Sequence, residues 1–85
     1  MPTAELDLGK YMVARLIRLI ETKPKTVVYS VFSKHDEDRL GTIKWFGPWR
    51  QYCFFCTDVG VFSSTCLRDI EYFLILLNVE KKKGA

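Results

Sequence analysis

The stretch Lys44-Trp-Phe-Gly-Pro-Trp-Arg-Gln-Tyr-Cys-Phe-Phe-Cys56 decides the fold. Its thirteen positions hold six of the chain's twelve aromatic residues and both tryptophans, around one Gly-Pro pair. Gly47-Pro48 marks a turn, because proline presets φ for the first central position. The flanking segments, residues 40–46 and 51–56, read as two strands of a β-hairpin. A four-residue turn sets Trp45 opposite Tyr52 and Ile43 opposite Phe54, and such cross-strand pairs contribute ~0.2–1 kcal/mol each. Lys44, Phe46, Cys53 and Phe55 then share the other face. Large apolar groups on both faces are foreign to an antiparallel sheet with one wet side. Each face therefore requires a cover. A C-terminal helix can supply one, and an N-terminal helix, a second copy of the chain or another partner the other. A one-residue slip in register would exchange the two faces.

Working outward, residues 25–33 are rich in Val, Tyr, Thr and Phe and read as a preceding strand. Residues 34–39 form a polar turn. Asp58 to Gly60 is a further turn, and Val61-Phe62 offers a short edge strand. Towards the N-terminus, Met12, Leu16, Leu19 and Ile20 recur at three- and four-residue spacing, which predicts a helix over 8–22 with Asp7 as N-cap and Pro24 as its stop. Residues 1–7 read as a loose leader. A second helix over 64–78, capped by Ser63 or Ser64, carries Leu67, Ile70, Leu74 and Leu77 as its core stripe. A charged tail at 80–85 is expected to fray. The fold class expected is α+β: an N-terminal helix, a three- to four-stranded antiparallel β-meander over 25–62, and a C-terminal helix packed on the sheet.

Eighty-five residues make one small domain with a modest buried fraction. The net charge is +3. Five basic residues lie between Lys10 and Lys25 against one acid, Glu21, while Asp36-Glu37-Asp38 and Lys81-Lys82-Lys83 form opposite charge runs. The three cysteines are an odd number, and the N-terminus lacks a charged-then-apolar leader, so a reducing cytosol with free thiols is expected. No apolar run reaches the ~18–20 residues that span a bilayer.

Candidate chemistry is sparse. Cys53 and Cys56 have the spacing of half a zinc site, with Cys66 and His35 as the other soft ligands, but in a strand their sulfurs diverge and the bland reading is small buried hydrophobes. His35 beside Asp36, Glu37 and Asp38 could act as a general base, yet no nucleophile accompanies it. The acidic turn lacks the glycine and spacing of a calcium loop. Arg15, Arg18, Lys44, Trp49 and Arg50 combine positive charge with aromatic surface, the pairing that attracts phosphate and stacks bases. Trp49 at the turn tip is either an exposed contact residue or a lid folded over the hairpin.

The motif Gly41-x-Ile43-x-Trp45-Phe46-Gly47-x-Trp49-Arg50-Gln51-Tyr52-x-Phe54-Phe55, followed by Val61-Phe62 and Cys66-Leu67-Arg68-Asp69-Ile70-Glu71-Tyr72-Phe73, resembles a group of small uncharacterised proteins found in bacterial, phage and mobile-element settings. The resemblance runs from Thr26 to Asn78. Members commonly carry proline where this chain has Cys56, so the paired cysteines are peculiar to this sequence. The group has no established activity, so the resemblance implies a fold and a mobile-element setting and no catalytic residues.

The expectation is a non-enzymatic binding module that contacts nucleic acid through Arg15, Arg18, Lys44, Trp49 and Arg50. The alternative is a protein-interaction module, such as an inhibitor of a host protein encoded by a phage or mobile element. A homodimer is expected from the two apolar sheet faces. Nothing in the residue pattern calls for a metal or cofactor.

Overall fold

A computed structural model describes residues 4–22, 25–58 and 61–83. Five strands run in simple meander order, each antiparallel to the next: β1 (Glu5–Leu8), β2 (Met12–Ile20), β3 (Thr26–Ser33), β4 (Arg39–Phe46) and β5 (Gln51–Cys56). One helix follows, α1 (Ser64–Lys83), and packs against β5 and β1, the two edges of the sheet.

The aromatic hairpin is as expected. Trp45 pairs with Tyr52 and Ile43 with Phe54. The turn is a single 3-10 turn over Gly47–Trp49, closed by the Arg50 N–H donating to the Gly47 carbonyl at 3.0 Å. Arg50 takes up the left-handed conformation, φ 53°, that returns the chain into β5. Tyr52 sits edge-on to Trp45, ring centroids 5.5 Å apart.

The N-terminal helix does not exist. Residues 5–20 are instead a β-hairpin whose loop, Gly9-Lys10-Tyr11, joins the paired Leu8 and Met12. Gly9 holds φ +75° there, and a Cβ at that point would strike the Asp69 carboxylate from α1. The helical period has a specific origin. Met12, Ala14 and Leu16 join the core at the two-residue period of a strand; a β-bulge at Ile17 then delays the next residue on that face to Leu19, which pairs with Val27 and is 40% exposed. The intervals Met12→Leu16→Leu19 are four and three, the signature of a helix produced by a bulged strand.

Three smaller expectations also change. Residues 5–7 of the supposed leader belong to β1. Val61-Phe62 is no strand; Phe62 turns its ring edge-on against Phe54 at 5.4 Å. The helix runs on through Glu80 to Lys83 rather than fraying, because Lys81 Nζ donates to the Lys25 carbonyl at 3.1 Å and lies over the Trp45 ring. The expected Pro24 stop, the Gly60 turn end and the last two tail residues lie outside the described residues. At the start of α1 the cap is Ser63, whose Oγ accepts the Cys66 N–H.

The core lies between α1 and one sheet face. Tyr29, Val31, Ile43 and Met12 are its most buried large side chains, with Ile70 and Phe73 from the helix against them. Phe73 meets the Tyr29 ring edge-on at 5.1 Å. Asn78 pins the helix to the edge strand: its Oδ1 accepts the Tyr52 N–H at 2.7 Å. That contact gives a partner to a backbone donor that an edge strand would otherwise leave open.

Candidate functional site

Among the described residues no helix covers the other sheet face. Strand alternation and the observed registers put Val13, Arg15 and Arg18 of β2, Val28, Ser30 and Phe32 of β3, Thr42, Lys44 and Phe46 of β4, and Cys53 and Phe55 of β5 on it. The bulge is what aligns the two arginines. In a regular strand residues three apart point to opposite faces. With Ile17 inserted, Arg15 pairs with Ser30 and Arg18 with Val28, two positions apart on β3 and therefore on one face.

Long cationic side chains cover this face in place of a helix. The Arg15 guanidinium lies 4.8 Å from the Phe32 ring centre, and Lys44 Nζ 4.7 Å from that of Phe55. Arg39 Nη2 donates to Thr42 Oγ1 at 2.6 Å. Beneath these stems Val13, Ser30 and Thr42 are buried. Aliphatic stems laid on apolar surface with charged heads in water are a normal way to shield a sheet. This resolves the double-sided apolar pattern without a second layer of secondary structure.

At one end of the face a cavity of about 520 Å³ opens between Arg18, Arg39 and Lys44, over a floor that includes Thr26, Val28 and Thr42. Among the described residues no carboxylate lines it. Among the described residues Arg18, Arg39 and Lys44 form no ion pair, whereas Arg15 is matched by Glu5 at 2.9 Å and Glu37 at 4.0 Å. On this face of the sheet the uncompensated charge therefore sits in the cavity, and Arg15 contributes less than its sequence position suggests. Arg39 is the site residue that sequence reading missed. It lies at the end of a polar turn, and only the β3–β4 register brings it next to Thr42 and Lys44.

Trp49 is 67% exposed, and its ring meets Phe46 edge-on at 5.0 Å. Phe46 in turn meets Phe55 at 5.9 Å. The three rings form a line along the helix-free face, beginning at the hairpin tip. Arg50 is exposed in the same turn. Of the five residues read from the sequence, Arg18 and Lys44 share the cavity, Arg15 lies on the same face in an ion pair, and Trp49 and Arg50 sit at the tip.

The other candidates disperse. Cys53 pairs with Lys44 and Cys56 with Gly41, so the two thiols point to opposite faces. Burial pushes the Cys53 thiol pKa up, which disfavours the thiolate. His35 is exposed in the β3–β4 turn, its N–H donating to Ser33 Oγ. There the Asp38 N–H donates to Asp36 Oδ1, and this hydrogen bond, with help from Ser33, holds the Asp36 carboxyl below the usual range.

The chain is 36% identical, over 59 residues, to an uncharacterised 9.3 kDa protein of Acholeplasma phage L2, in an alignment that spans 69% of this chain and 76% of the phage protein. It belongs to that protein's family. No family model and no solved structure matches the chain. The phage protein carries no assigned activity in its name, so the shared family gives the chain a phage connection and leaves its chemistry to be argued from the face just described. No helix among the described residues is long and apolar enough to cross a membrane.

Proposed function

We propose that the chain is a small non-enzymatic module that binds single-stranded nucleic acid on the helix-free face of its sheet, in the cytosol and with its thiols free. The observation that carries this reading is the cavity bounded by Arg18, Arg39 and Lys44, three cations with no carboxylate among its lining residues, next to the ring line Trp49–Phe46–Phe55. Cations without a carboxylate counter-charge attract phosphate, and an exposed indole beside them offers a base a surface to stack on. The resemblance to mobile-element proteins and the phage relative are in keeping with a partner of this kind.

Fluorescence anisotropy with a labelled oligodeoxynucleotide tests it. Three phosphate contacts to a single strand give a slope of log affinity against log salt near −2, or roughly a 20-fold loss between 50 and 200 mM. Arg39→Ala should weaken binding across sequences and lower that slope by about one contact's worth. Affinity indifferent to salt would refute the reading. A second reading, a protein-interaction module such as an inhibitor of a host protein, draws on the 67% exposure of Trp49. It gains if Trp49→Ala abolishes capture of a host protein while the oligonucleotide never binds.

A further inference from the structure

Helix α1 is apolar on both sides. Cys66, Ile70 and Phe73 are buried against the sheet, with Leu74 and Leu77 packed beside them. On the outer side Tyr72 is 65%, Ile75 52%, Leu76 45% and Val79 42% exposed. Their spacing of i, i+3, i+4 and i+7 makes one continuous stripe. From Tyr72 to Leu77 every residue of the helix is apolar, and a stretch that is apolar all round belongs in an interior. The stripe runs into a groove of about 180 Å³ between α1 and β1, where Leu6 adjoins Tyr72 and Leu76 and Asp7 and Asp69 add charge to the lining.

We propose that this stripe is the contact surface for a second copy of the chain, the two α1 helices lying side by side and antiparallel about a two-fold axis near Leu76. The charges on the helix select both the occupant and its direction. Asp69 and Glu71 lie in the N-terminal half, and Glu80 with Lys81, Lys82 and Lys83 gives the C-terminal end a net positive charge. An antiparallel pair sets Asp69 against the second copy's Lys83 and Glu71 near the second copy's Lys82, and the symmetry repeats both pairings. A parallel pair would set lysines on lysines and align the two helix dipoles. Arg68, the one cation in the N-terminal half, falls opposite the carbonyl end of the second helix, where positive charge is favoured. An isologous contact of this kind closes at two copies.

The stripe runs from Tyr72 to Val79, eight residues and ~10 Å of helix axis. That is well short of the ~800 Å² per partner of a standard interface, so the dimer is weak and its population depends on concentration. Because α1 lies across the sheet from the cationic cavity, pairing leaves that face free on both copies. The inference therefore stands or falls separately from the proposed function.

Sedimentation equilibrium from about 10 μM to about 1 mM, the range a small interface requires, should show a monomer converting to a dimer and nothing larger. Ile75→Lys, and independently Tyr72→Glu, should abolish the dimer with unchanged thermal melting, since both positions face water in the monomer. Glu71→Lys and Lys82→Glu should each weaken self-association several-fold, and an equimolar mixture of the two should recover a one-to-one heterodimer. In a parallel pair neither single variant would weaken it. A strict monomer at the top concentration, a dimer indifferent to Ile75→Lys, or single charge variants that pair normally would each overturn the proposal.

Discussion

Trp49 shows how much a single residue left open at the level of sequence. Its place after Pro48 was compatible with a lid or with an exposed contact, and the two differ only in where the indole turns. It lies edge-on to Phe46 and is otherwise in water. An edge-to-face pair contributes ~0.5–1.5 kcal/mol, whereas truncating a buried Trp costs ~3–5 kcal/mol. Trp49→Ala should therefore lower stability by about 1 kcal/mol, visible as a few degrees in a thermal melt, while weakening oligonucleotide binding. A loss near 4 kcal/mol would mean that the indole is a lid after all. Arg18 and Lys44 were legible from charge beside aromatics. The Glu5 and Glu37 partners of Arg15 were not, because they depend on the β1–β2 pairing and on the turn after β3.

At the scale of elements, the hairpin β4–β5 and helix α1 were readable because their signals are local: a Gly-Pro turn, alternation on either side of it, a serine cap before an apolar stripe. The hairpin β1–β2 was not. A one-residue bulge turned a two-residue period into intervals of four and three, and no local rule separates that pattern from a helix. What decides it is pairing with β3, through contacts 6 to 21 residues apart in the chain. The helix is tied to β5 through Asn78. In Asn78→Ala the Tyr52 N–H loses its partner, and an unpaired, part-buried donor costs ~1–3 kcal/mol. Chemical denaturation should reveal that loss; a change below a few tenths of a kcal/mol would mean that water replaces the amide.

At the scale of the whole molecule, one layer of helix covers one side of a five-stranded sheet, and cationic stems shield the other. The sequence called for a cover on both faces and named a helix, a second copy or a partner for the second. That arginine and lysine stems provide one of the covers could not be read without knowing which rings they lie over. The helix side also sets the response to alkali. Burial raises the pKa of Tyr29 and Tyr52 above the ordinary 10.0, Tyr29 being raised further by its neighbour Tyr52. For Tyr52 burial outweighs the Val27 N–H that bonds its oxygen and favours the phenolate. A phenol whose folded pKa is raised loses stability only on ionising. The fold should therefore keep its full stability below pH 10 and lose it progressively as pH climbs through the raised values. Urea midpoints at pH 8 and about pH 11 should differ accordingly, with part of the difference gone in Tyr52→Phe. Equal midpoints would show that neither phenol is shielded.

The central claim is that the helix-free, cation-covered face meets the partner. An amide chemical-shift titration of the labelled protein with a short oligothymidine examines it directly. We expect shifts at Arg18, Val28, Thr42 and Lys44 and at the Trp49 indole, with the outer-face amides of Tyr72 and Ile75 unmoved. Shifts confined to α1, or a spectrum unchanged at saturating oligonucleotide, would contradict it.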